Sequence, residues 1–148
     1  MRGAAAALLA VTMSACVSHP VGPARTYAKY EGKAVTTAEA ALSAVESGRL
    51  VARSATRHRL PGAYVGATLG EAEDAVAGVS GTFASIQPPD ERADQLRNEL
   101  GSLLHDAAEH LAQLRIAARR GQIGDLASLS APLAGDADKL EAFTKAHQ

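Results

Sequence analysis

Seven apolar side chains, Val65, Leu69, Ala72, Val76, Val79, Phe83 and Ile86, follow one another at alternating steps of four and three residues. A strand would send successive residues to opposite faces, whereas a helix with about 3.6 residues per turn gathers this spacing onto one stripe. The stretch therefore predicts a helix that buries one side against other helices. A similar stripe begins near Thr26, with Tyr27, Tyr30, Ala34, Ala41, Val45, Ala52 and Ala55 in register, and stops at Pro61 and Gly62. The Thr-Thr-Ala-Glu pattern at 36–39 offers an alternative, later start as a capping box. Gly48 is expected to weaken this helix midway.

Two more segments complete the pattern. Gln-Pro-Pro-Asp-Glu at 87–91 breaks the chain and restarts it, with Asp90 as the expected N-cap. Leu96, Leu100, Leu103, Ala107, Leu111, Leu114 and Ala118 then make an apolar face, and Gly121 and Gly124 end it. The last segment, 125–146, turns Leu126, Leu129, Leu133, Leu140 and Phe143 inward, with a kink expected at Pro132. Gly66, Gly70, Gly78 and Gly81 interrupt the second helix, each costing about 1 kcal/mol relative to Ala, and close approach of a neighbouring backbone is expected to offset this. Gly66 and Gly70 match the spacing of membrane dimer motifs, but Glu71, Glu73 and Asp74 exclude a lipid-buried span. Four amphipathic helices joined by short breaks predict one all-α domain over 26–148, an up-down-up-down four-helix bundle. The alternative is a three-helix bundle with a bent C-terminal helix.

The single cysteine, Cys16, excludes an intramolecular disulfide, so apolar packing must hold the fold. Aromatic residues are 3% and Trp is absent, so small side chains fill the core. Cys16 also closes a distinctive leader: Met1 and Arg2, an uncharged apolar run, then Ser14 and Ala15. That order is a secretory signal, expected over 1–15, and it falls short of the roughly 20 apolar residues a membrane-spanning helix needs.

Met13, Ser14, Ala15 and Cys16 resemble the lipobox of bacterial lipoproteins, with Met13 where leucine is usual. The resemblance implies cleavage after Ala15, a diacylglyceryl group on the Cys16 sulfur and attachment to the extracytoplasmic face of the cell membrane. The richness in Ala, Arg and Gly is similar to that of proteins from high-GC bacteria such as actinomycetes. Residues 16–25, with two prolines and a glycine, are expected to tether the lipid to the bundle. The mature chain would carry 14 basic and 16 acidic residues, a balance that gives no reason to expect nucleic acid as a partner.

Catalytic and metal patterns are not matched. His105 and His110 are five apart, whereas two zinc ligands on one helix face stand four apart, so they diverge by roughly 140°. The expected pairs are His105 with Glu109 and Asp106 with His110. No Glu has a His three residues later, as di-iron bundles require, and one cysteine cannot attach haem covalently. The expectation is a binding or envelope-structural module with no enzymatic activity, no cofactor and no metal. A different class, a small-ligand or metal-binding protein using His58, His105 or His110, is the alternative.

One charge pattern suggests a contact surface. Arg49, Arg53 and Arg57 step by four, followed by His58 and Arg59, while Arg115, Arg119 and Arg120 close the third helix. In an antiparallel bundle both groups share one end. Arg53, Arg57 and Arg119 are therefore the candidate anion-binding residues, for an anionic envelope polymer or protein. Basic residues near helix C-termini also complement the helix dipoles, and that simpler role accounts for the same placement. A first helix of about 22 to 33 residues would carry this end roughly 33 to 50 Å from the lipid anchor if the bundle stands upright.

Overall fold

A computed structural model describes residues 23–57 and 59–148. It is all-helical: α1 (Tyr27–Thr56), α2 (Gly62–Ala84), α3 (Glu91–Arg119), a short 3-10 turn (Ile123–Asp125), α4 (Leu126–Leu129) and α5 (Pro132–Ala146). Helix α1 packs against α2, α3 and α5, and α3 packs against α2 and α5. No helix among the described residues is long and apolar enough to cross a membrane.

Helix boundaries follow local chemistry. Thr26 caps α1 by accepting from the Lys29 amide at 3.4 Å, so the later start at 36–39 does not form. Thr36 and Thr37 lie inside α1 and bond back to the carbonyls of Gly32 and Lys33. Asp90 caps α3 as expected, accepting from the Ala93 amide at 2.9 Å. Gly121 follows α3 at φ 74°, a left-handed conformation that a side chain disfavours.

Pro132 does not kink a continuous helix. The chain breaks at Ser130 and Ala131, and Pro132 opens α5, where its missing N–H has no partner to lose. The core stripe of α3 also differs by one residue. Leu104 is fully buried, while Leu103 is only half-buried. At the other end of the chain's first helix, Ala24 is buried in the core, so the end of the expected tether packs on the domain.

Gly48 marks the waist of the molecule. A Cβ built there would stand 2.5 Å from Leu111 Cδ2, 3.8 Å from Leu69 Cδ2 and 3.9 Å from Leu133 Cδ1. One layer therefore takes a residue from each of α1, α2, α3 and α5, and glycine lets α1 approach closely. The expected close approaches along α2 are of another kind. Gly66 and Gly70 are covered at 3.6 Å by the stems of Arg119 and Arg115, while Gly78 and Gly81 face open space.

Candidate functional site at the arginine-rich end

The layer through Gly48, Leu69, Leu111 and Leu133 divides the charges. On the side holding the end of α1, the start of α2 and the end of α3, the sequence places seven arginines, no lysine and one carboxylate, Asp125. On the other side, the described residues hold fifteen carboxylates and seven basic side chains. The candidate residues fall within the first group. Arg53 and Arg57 are exposed at the end of α1, and Arg119 is exposed at the end of α3.

Helix α2 joins these two ends. It begins directly after the α1–α2 connection with Pro61 at its N-cap and no side-chain cap. Arg119 lies along its first turns, and the two helices form a shallow groove of about 420 Å³ lined by Gly62, Ala63, Gly66, Ala67, Ala118 and Arg119. The missing side chains at Gly66 and Gly70 leave room for arginine stems to run along α2. One turn earlier in α3, Arg115 forks onto Glu73, with Nη2 donating to Oε1 at 3.2 Å and Nε donating to Oε2. This hydrogen-bonded carboxylate, by favouring the charged form, raises the Arg115 pKa further above its already high ordinary value.

Apart from Arg25, which is exposed and likewise unpaired beside the start of α1, engagement separates the described arginines into two sets. Arg49 pairs with Glu46, Arg92 sits over the Tyr27 ring at 3.7 Å, Arg97 donates to the Ala84 carbonyl, and Arg115 holds Glu73. Arg53, Arg57, Arg59, Arg119 and Arg120 have no side-chain hydrogen bond or ion pair among the described residues. Their guanidinium groups therefore remain available to an external acceptor.

The histidines do something else. His105 is exposed, and His58 and Cys16 lie outside the described residues. His110 does not pair with Asp106. Its Nδ1 lies 2.6 Å from Oδ2 of Asp136 on α5, whose side chain is only 4% exposed. Asp106 instead approaches Lys139 at 3.9 Å. The His110–Asp136 pair was missed from sequence, although Asp136 sits three residues after Leu133 and four before Leu140. A carboxylate on that buried stripe demands a partner. No group of three or more metal-ligating side chains occurs among the described residues.

At the far end, Glu31 Oε1 lies 3.0 Å from both the Tyr27 hydroxyl and His147 Nδ1. The His147 contact lowers the Glu31 pKa most, with the Tyr27 hydrogen bond adding to it and burial opposing it. These contacts bind the start of α1 to the C-terminus. Comparison with known proteins finds no matching family model, curated protein or solved structure.

Proposed function

We propose that this protein is a lipid-anchored, extracytoplasmic helical module that binds a partner and catalyses no reaction. The observation that carries this reading is the concentration of unpaired arginines at one end of a molecule whose other charges are mixed and mostly acidic. Such an end presents a positive field to anionic groups. The contacts among α1, α2, α3 and α5 support its description as an up-down-up-down four-helix bundle with a broken fourth helix, α4 plus α5. In that arrangement the α1–α2 end stands opposite the end at which Ala24 packs against the helices.

The anchor rests on the lipobox-like residues 13–16. Labelled palmitate should enter the wild-type chain and be lost in Cys16→Ala; label persisting in that variant would refute the anchor. Contact through the basic end is tested separately. Combined Arg53→Glu, Arg57→Glu and Arg119→Glu substitutions should abolish retention on anionic envelope material while circular dichroism stays unchanged. Retention equal to wild type would reject these arginines as the binding surface.

A further inference from the structure

We infer that the arginine-rich end is a docking surface for an acidic, concave protein partner, an inference that rests on the binding-module reading above. Three large apolar residues are exposed among the described residues: Leu50 at 58%, Tyr64 at 54% and Ile116 at 40%. All three lie on the arginine side of the Gly48 layer. Leu50 shares a stripe of α1 with Arg53 and Arg57, three and seven residues on, and Ile116 precedes Arg119 and Arg120 by three and four. Tyr64 stands in the first turn of α2. Exposed apolar surface is thus interleaved with guanidinium groups that have no internal partner.

The composition selects among anionic partners. A phosphate-bearing polymer would engage the arginines and leave Leu50, Tyr64 and Ile116 idle. A bilayer would use both kinds of group, but it presents a flat face. Leu50 and Ile116 each lie opposite the buried stripe of their own helix, and α1 meets α3 across the core, so these two side chains point apart. A recess closing over the end reaches both. Protein interfaces are enriched in Arg and Tyr and depleted in Lys, which matches an end with seven arginines and no lysine. Carboxylates receive guanidinium groups in a two-pronged geometry that ammonium groups do not reproduce.

Site-specific photocrosslinking in the cells that make the full-length chain tests this. The crosslinking amino acid p-benzoylphenylalanine replaces Leu50 or Ile116, and replaces Glu99, exposed on the far side of the layer, as control. The expected result is one discrete protein adduct shared by the Leu50 and Ile116 positions and absent at Glu99, with acidic residues around the crosslinked peptide. Adding Arg53→Glu and Arg119→Glu should lower its yield about tenfold or more, because close interfacial charge pairs contribute strongly to binding. Polydisperse phosphate-rich adducts, or lipid adducts, would overturn the protein partner while leaving the basic end as a binding surface. Equal yield at Glu99, insensitivity to charge reversal or no adduct at either position would overturn the proposed docking end. The palmitate experiment reads the anchor independently of all these outcomes.

Discussion

Replacing Gly48 with alanine sets two opposing energies against each other at the waist of the molecule. In an open helix position the change stabilises by about 1 kcal/mol, because alanine has the higher helix propensity. At Gly48 the new methyl group would stand 2.5 Å from Leu111 Cδ2, well inside the 3.5–4.0 Å at which carbon atoms rest. Leu111 must therefore move by roughly 1 Å. It is fully buried, with Leu69 and Leu133 also bordering the space, so its δ-methyl has no solvent-facing escape. Overpacking of this kind costs about 1–3 kcal/mol. With propensity returning about 1 kcal/mol, the net expectation is a loss of about 1 kcal/mol.

Thermal and urea unfolding of the purified protein measure this. Gly48→Ala should lower Tm by about 3–5 °C. Gly78→Ala, at a helical position with nothing within 4 Å, should raise stability by about 0.5–1 kcal/mol. Leu111→Val shortens the opposing side chain by the clashing methyl, so Gly48→Ala should become neutral or stabilising in that background. Gly48→Ala that stabilises the wild type as much as Gly78→Ala would refute the close-approach argument.

Other contacts make separate demands. His110→Ala leaves the buried Asp136 carboxylate without its partner and should cost about 3 kcal/mol in urea unfolding, while a loss below about 1 kcal/mol would show that the pair is not a buried lock. Glu31 has a depressed folded pKa, so its contribution is present above the ordinary glutamate range and fades as pH falls through the folded value; Glu31→Gln should flatten the acid side of the stability profile, and an unchanged profile would remove the His147 and Tyr27 contacts as its cause. Asp90→Ala removes the cap of α3 and should cost about 1 kcal/mol, with no measurable change excluding the cap as a stabilising element.

The stripes were legible because each is a local property of one helix. Asp90 was legible as a cap for the same reason, since a carboxylate reaches an amide within its own first turn, whereas Thr26 was legible only as the place where the stripe begins, and the capping-box pattern at 36–39 pointed elsewhere. Pro132 was ambiguous: periodicity continues through it, and a kink and a restart leave the same apolar spacing. The Leu103–Leu104 pair offers two apolar residues to one stripe, and only packing against the neighbouring helices selects Leu104. Gly48 reads locally as a weakness because Leu69, Leu111 and Leu133 arrive from distant parts of the chain. Asp136 went unread because its partner, His110, comes from α3, and His110 was expected to pair with Asp106 one turn earlier on its own helix. At the candidate site, the clustering of Arg53, Arg57 and Arg119 at one end was readable, whereas their lack of internal partners required the folded arrangement.

Two explanations for that arginine end predict effects of different size on stability. If Arg53, Arg57 and Arg119 serve chiefly to complement helix C-termini, each contributes about 0.3–1 kcal/mol, and neutralising all three should cost about 1–3 kcal/mol. If they serve a partner, their mutual repulsion works against the dipole contribution in the free protein. The five arginines of this end that have no carboxylate partner, Arg53, Arg57, Arg59, Arg119 and Arg120, repel one another to the extent that they lie within a screening length of about 8 Å at physiological salt. Combined Arg53→Gln, Arg57→Gln and Arg119→Gln should then leave stability within about 1 kcal/mol of wild type, with any gain largest at low salt, where repulsion is least screened. Adduct formation at Leu50 should nevertheless fall. A uniform stability loss near the upper dipole value, with crosslinking preserved, would assign these side chains to the fold and refute their role in contact; stability that holds while crosslinking disappears separates the packing of this bundle from the surface it presents.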